Sequence, residues 1–251
     1  MTRIYSKNAL KEKPTLDRSS VQNFFEERAR KAQVLGYKSA VMYQDKNPGL
    51  VEARDLAEKE LLCPKLNLTP SDRFLDFGCG TGRWTEAVIN TVAHYHGTDF
   101  AEGLIQIAKS RGFPGHARFS CMPCTEVSLE KLGEAEPFNK LICFGLMIYL
   151  NDSDLTDFLQ SMLSVSARTS LFLVREPVAL DRRLTISDHY SEDMGQQYNA
   201  IYRTEKELLA FFKNELGPGG YNLVDSGDVF SVPSYNNRTE TKQKFFLFQR
   251  R

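Results

Sequence analysis

Apolar positions along the chain follow two rhythms: helical spacing near the start, then short continuous runs bounded by glycine, proline and asparagine. In VQNFFEERARKAQVLG, residues Val21, Phe24, Phe25, Ala29, Ala32 and Leu35 recur at helical spacing, with Ser20 placed to cap the run and Gly36 to close it. After Tyr37, Met42, Tyr43 and an Asn-Pro-Gly turn, a second helix is predicted over 50–62, and Pro64 and Pro70 lead into the first strand. Residues 1–20 are polar and basic and are expected to form a frayed tail.

From there strand-like and helical runs alternate. Phe74, Leu75 and Phe77 make an apolar strand around Asp76, and a glycine-rich turn then leads to a helix over 84–90. VAHYHGTDF (92–100) reads as the second strand, ending on Asp99, and 101–110 as the next helix. Residues 116–129 hold a third strand and a loop. FNKLICFGLMIYLND, from Phe138, is the fourth strand, and its long apolar run suits burial on both faces. A helix over 152–164 and a strand over 170–177 follow. The segment 178–204 is polar, aromatic and long for a connection, as lids and substrate loops are. A helix over 205–214 with Thr204 as its cap, a glycine-rich break at 217–220, and two last strands over 221–230 and 242–251 complete the chain.

Composition narrows the class. The 251 residues suffice for one α/β domain with appended elements, and 41% hydrophobic with 25% charged residues indicates neither disorder nor a membrane protein. Lysine and arginine (32) balance aspartate and glutamate (32), so there is no general attraction to nucleic acid or anionic lipid. The start lacks the apolar core of a signal peptide, and LICFGLMIYL is too short to span a bilayer, so a cytoplasmic protein with no membrane partner is expected. Five cysteines at irregular spacing make no disulfide framework. Cys121 and Cys124 form a lone C-x-x-C without a second pair at zinc spacing, so buried free thiols and no metal are expected.

The chemistry concentrates in FLDFGCGTGRW (74–84). Its glycines, Gly78, Gly80 and Gly82, permit positive φ and close approach of a ligand to bare backbone. The spacing is G-x-G-x-G, not the G-x-G-x-x-G of a dinucleotide turn, and no Lys-Ser or Lys-Thr pair follows it as in a Walker loop. An acid followed by this pattern resembles motif I of the class I S-adenosylmethionine (SAM)-dependent methyltransferases. The resemblance covers 65–251, is specific at this motif and at Asp99, and is loose elsewhere.

The resemblance implies an α/β Rossmann-like methyltransferase fold: a seven-stranded, mostly parallel sheet with an antiparallel last strand, here with an N-terminal helical cap over 21–64. It implies SAM as cofactor, with S-adenosylhomocysteine as product and no metal. Asp76 would accept from the ammonium group, while Gly78, Cys79, Gly80 and Gly82 leave room for the methionine moiety. Asp99 would take both ribose hydroxyls, and Phe100 would lie on the purine. Relatives often carry glycine and aspartate where this chain has Met122 and Pro123, which moves the adenine contact to backbone near Cys124 and Thr125. Phe144 and Gly145 would flank the cofactor. Tyr37 and Tyr43 of the cap either touch it or pack the cap.

Tyr149 stands where many relatives place a histidine, and is either a polar tip near the acceptor or a buried aromatic. His189, beside Asp188, is the candidate general base of the lid, with a loop histidine without chemistry as the alternative. Tyr198, Tyr202 and Arg203 are candidate substrate-binding groups. The enclosed design points to a small polar acceptor, a hydroxyl of a sugar or natural product, with a small amine as the alternative. No D-P-P-Y or N-P-P-Y motif of amino-methylating nucleic-acid enzymes is present. A domain that binds SAM without turnover is the reading from a different class.

Overall fold

The computed structural model describes residues 2–5 as backbone, and 13–43, 45–192, 194–236 and 238–251 in full. Its main sheet has seven strands: β2 (Arg73–Phe77), β3 (His94–Asp99), β4 (Ala117–Cys121), β5 (Phe138–Phe144), β6 (Ser166–Ala179), β9 (Tyr221–Asp228) and β10 (Thr241–Arg250). They lie in the order β4-β3-β2-β5-β6-β10-β9. The pairs among β2 to β6 are parallel, and β10 runs antiparallel to both its neighbours. Strand order therefore reverses between β2 and β5, where open α/β sheets hold their ligands beyond the carboxyl ends.

Period-two alternation explains why the central strands are apolar throughout. Leu141, Cys143, Phe172, Val174 and Phe246 face one buried cluster with Phe158 and Phe212. The intervening Ile142, Leu173 and Phe245 face another with Phe74, Trp84 and Tyr95. Helices close both faces: α4 (Thr85–Val88), α5 (Glu102–Ser110), α6 (Leu129–Leu132), α7 (Asp152–Val165) and α8 (Glu205–Glu215).

The cap comprises α1 (Arg18–Leu35), α2 (Tyr37–Met42) and α3 (Pro48–Leu66). Asp17, not Ser20, caps α1, because its carboxylate accepts from the Ser20 amide at 2.7 Å. Arg28 is fully buried and pins α2, donating to the carbonyls of Ala40 (2.8 Å) and Ser39 (3.0 Å) and pairing with Asp45.

Four sequence expectations change. The apolar run at 141–150 is not one strand, since Gly145 adopts φ +70° and the chain turns into a 3-10 helix at Met147–Tyr149. The helix after the glycine turn is short. The segment 178–204 is a β-hairpin of β7 (Leu184–Ser191) and β8 (Gln196–Tyr202), with Thr2–Tyr5 (β1) pairing antiparallel on β7. Part of the expected frayed tail is thus a strand, and residues 6–12 of it lie outside the described residues. No helix among the described residues is long and apolar enough to cross a membrane.

Candidate active site

At the end of β2 the chain bends through three left-handed glycines, Gly78 (φ +75°), Gly80 (+54°) and Gly82 (+78°). A Cβ on Gly78 would stand 2.7 Å from Leu146 Cδ1, and one on Gly80 would stand 3.0 Å from Val41 Cγ1, so side chains are excluded by backbone conformation and by space. The Gly78 and Cys79 amides donate to the Thr98 carbonyl at 2.8 and 3.0 Å, tying the bend to the end of β3. The Gly80 amide donates to Asp99 Oδ2 and the Ala101 amide to Asp99 Oδ1, both at 3.0 Å. Burial raises Asp99 to about 6 even though these amides favour its charged form. Asp76 accepts from the Tyr95 hydroxyl at 2.8 Å, and burial raises it to about 7.

The cap is latched to this bend. Thr81 Oγ1 donates to the Tyr37 carbonyl at 3.0 Å, and the Arg111 guanidinium lies 3.9 Å from the Tyr37 ring centroid while holding the Thr81 and Gly82 carbonyls. Tyr37 is thus a latch residue, outside the cavity lining.

The bend opens into a cavity of about 300 Å³, within the range of small-molecule sites. Asp99, Phe100, Cys124 and Thr125 line one end. Asp76, Gly78, Cys79 and Gly80 line it at the bend, and Phe144 and Gly145 line it beyond β5. Tyr43 of the cap, Tyr149, and Tyr198 and Tyr202 of β8 line it as well. These rings form one cluster with Phe24 and Phe25: Phe25 to Tyr149 is 4.9 Å, Phe25 to Phe100 is 5.6 Å and Tyr149 to Tyr198 is 6.3 Å between centroids. The Tyr198 and Tyr202 hydroxyls are 2.8 Å apart. Tyr149 Oη is buried beside the Tyr43 and Tyr198 hydroxyls and makes no hydrogen bond of full geometry among the described residues.

Three candidate residues stand elsewhere. Gly82 shapes the bend from outside the cavity, against Phe113. His189 is half-buried on β7, opposite Tyr198 of β8, and is not among the residues lining the cavity. Arg203 is buried and committed to structure: Nε and Nη2 bind Asp152 Oδ1 at 2.9 and 2.7 Å, and Nη1 and Nη2 donate to the Met147 and Leu150 carbonyls. Its guanidinium braces the turn that carries Tyr149 and does not reach the cavity.

Sequence reasoning missed a charged wall made by Arg54, Glu58, Arg83 and Arg175. Glu58 Oε1 accepts from Arg83 (2.7 Å) and from the Trp84 indole (3.0 Å), and its Oε2 pairs with Arg175 Nε at 3.0 Å. These cations hold the buried Glu58 carboxyl down at about 2. A signal existed: charged residues at 54, 55 and 58 occupy the same helical stripe as the buried Val51, Leu62 and Leu66. Glu176 was missed as well. Fully buried, it accepts from the Leu146 and Met147 amides at 2.8 and 2.9 Å and so sets the turn after β5.

Comparison with known proteins places this architecture. A family profile described as a methyltransferase domain matches residues 74–168. An uncharacterized protein of Methanocaldococcus jannaschii is 26% identical over 161 residues, covering 60% of this chain and 41% of that protein. A malonyl-[acyl-carrier protein] O-methyltransferase of Bacillus cereus is 25% identical over 197 residues, covering 74% of this chain and 66% of that protein. The chain thus spans less than two thirds of the length of either relative. Among solved structures, Haemonchus contortus phosphoethanolamine N-methyltransferase 1, in complex with phosphoethanolamine and S-adenosylhomocysteine, superposes with a TM-score of 0.69 at 16% identity. It covers 93% of this chain and 50% of that one, a likeness of fold. The strand order, the glycine bend and the family profile agree: residues 74–168 match a methyltransferase domain, set in a Rossmann-like methyltransferase fold.

Proposed function

We propose that the protein moves a methyl group from SAM to a small polar acceptor, in the first reading a hydroxyl of a sugar or natural product. One observation carries it: a left-handed glycine bend with no room for side chains donates its Gly80 amide to Asp99 beside a cavity. That arrangement fits an amino-acid-bearing nucleoside, because bare backbone admits the methionine portion and a carboxylate with spare lone pairs can accept adjacent ribose hydroxyls.

In this reading Asp76 accepts from the ammonium group, directly or through water, and Asp99 accepts from the ribose. Gly78, Cys79, Gly80 and Gly82 form the cradle, Phe144 and Tyr43 bound it, and Phe100, Cys124 and Thr125 receive the purine. SAM, when bound, supplies an already activated sulfonium methyl group. The protein's own task is alignment and exclusion of water, and positioning of this kind supplies about 7–11 kcal/mol. The cap over 21–64 and the hairpin within 178–204 act as the closure, bringing the tyrosine cluster to the cavity wall. Tyr149 Oη is the group proposed to meet the acceptor, since Tyr149 lines the cavity on the turn after β5 and its buried hydroxyl sits among those of Tyr43 and Tyr198.

A small amine is the second reading, favoured by the position of His189. No histidine lines the cavity among the described residues, and a neutral amine needs positioning more than a base. Titration calorimetry with SAM against NAD tests the first step. Release of S-adenosylhomocysteine with panels of hydroxyl and amine acceptors tests the second. Tight SAM binding without turnover on either panel would support a non-catalytic SAM-binding domain, and preference for NAD would overturn the proposal.

A further inference from the structure

We propose that His94, His96 and Glu134 form a site for a divalent transition-metal ion, zinc in the first instance, that staples the start of β3 to the loop leading into β5, at the end of the sheet away from the cofactor cavity.

The donor atoms converge. His94 and His96 are two residues apart on β3, so their side chains share one face of the sheet. Glu134 Oε1 lies 2.9 Å from His94 Nε2 and 2.9 Å from His96 Nδ1, and the three ligand atoms fall within 4.8 Å of one another. A tetrahedral zinc about 2.0–2.1 Å from each sets them about 3.3 Å apart, so the cluster has only to spread slightly to admit it. Two imidazole nitrogens and a carboxylate oxygen suit zinc and its first-row neighbours, whereas magnesium and calcium favour oxygen ligands throughout. Three protein ligands leave a fourth position for water.

Each ligand is held from behind, as the ligands of metal sites are. His96 Nε2 lies 2.8 Å from Ser120 Oγ. With the Nε2 proton given to Ser120, the Nδ1 lone pair faces the Glu134 carboxylate, and a cation between these two acceptors turns repulsion into coordination. Arg73 Nη2 donates to the other carboxylate oxygen, Oε2, at 2.6 Å and so aims Oε1 at the histidines. The Phe138 ring stacks on His94 at 6.1 Å and meets His96 edge-on at 6.4 Å. Gly133, at φ +66°, ends α6, and the Glu134 amide donates to the Leu129 carbonyl at 2.9 Å, which fixes the backbone that carries the carboxylate.

The site is shielded yet reachable. Side-chain exposure is 13% for His94, 2% for His96 and 4% for Glu134. A surface depression lined by His96, Lys109, Arg118 and Ser120 gives a path in. The cations paired with Glu134 among the described residues are Arg73, which also lies 3.9 Å from Glu136, and Arg118, 3.5 Å from Glu134 Oε1 and 56% exposed. Arg118 is the cation that an entering metal ion displaces to solvent. His96 precedes Asp99 by three residues, about 10 Å along β3, so metal ion and cofactor occupy separate places. The inference therefore stands apart from the methyl-transfer reading.

The test is zinc titration by calorimetry, with thermal melting, on metal-stripped protein carrying Cys121→Ser, which removes the exposed thiol as a competing ligand. Expected is one zinc per chain, a melting temperature raised by about 5–10 °C at free zinc about a hundredfold over Kd, and no effect of magnesium. His94→Gln and Glu134→Gln should each weaken zinc binding at least about tenfold. Absence of zinc binding, or unchanged affinity in these two variants, overturns the proposal. If the variants fail to fold, cobalt(II) bound to the parent protein decides: visible d–d bands without a sulfur charge-transfer band support nitrogen and oxygen ligands, and a sulfur band overturns the assignment. S-adenosylhomocysteine should leave zinc affinity within about threefold, as for independent sites. Competition between the two would place the ion at Asp76 and Asp99 and overturn the proposal as well.

Discussion

The Gly80 amide donates to Asp99 Oδ2 at 3.0 Å, joining the glycine bend to the end of the neighbouring strand. The carboxylate thereby has a fixed orientation before any ligand arrives. Asp99→Asn keeps the size but loses one acceptor oxygen and the charge. It is expected to weaken SAM binding at least about tenfold, or about 1.4 kcal/mol, with an unchanged far-ultraviolet spectrum. Unaltered affinity by calorimetry would detach Asp99 from the ribose.

The two carboxyls at the bend make binding pH-dependent. Burial raises Asp76 to about 7 and Asp99 to about 6, so in the free protein both hold protons well above the ordinary carboxyl range. The ligand pairs with the ionised forms. Affinity should therefore be full above about pH 7.5 and fall as pH drops through 7 and 6, with protons released on binding. Calorimetry in buffers of different ionisation enthalpy counts those protons, and a flat profile from pH 5.5 to 8 would contradict the assignment.

Glu58 ties α3 to Arg83, Trp84 and Arg175. Glu58→Ala leaves buried guanidiniums without their counter-charge and should cost about 3–5 kcal/mol, lowering the melting temperature by about 10 °C. The sign with pH follows from the carboxyl lying near 2 when folded against 4.5 otherwise. Its contribution is complete above the unfolded value and is lost as pH falls through the folded one. The wild type should therefore lose stability between about pH 4.5 and 2, and Glu58→Gln should flatten that part of the melting curve.

Tyr149 and His189 separate two accounts of the chemistry. Tyr149 lines the cavity, whereas His189 is not among the lining residues. Tyr149→Phe is expected to lower kcat about tenfold to a hundredfold with little change in SAM affinity. His189→Ala is expected to retain turnover within about threefold. The opposite pattern in steady-state kinetics would return the base role to the hairpin histidine.

Much of the site is written in local sequence. The left-handed bend follows from glycine at 78, 80 and 82, and the strand ending on Asp99 falls within the segment 92–100 read as the second strand. The hairpin at 178–204 was legible only as a long polar segment. Its strands have polar and aromatic residues on both faces, and β7 pairs with residues at the far end of the chain.

By itself the sequence determined the parallel sheet, the bend after β2 and the two carboxylates beside it, because backbone freedom and hydrophobic period act over a few residues. Tertiary structure alone decided which polar groups share the cavity. Arg83 comes from the turn after the glycine bend and Arg175 from a strand, and nothing in their own segments announces that they meet around Glu58 of α3. It likewise decided that Arg203 serves as a brace and that His189 stays out of the cavity lining, since both depend on how the hairpin docks. Electrostatic neighbourhoods are set by contacts distant in sequence, which spacing along the chain does not encode.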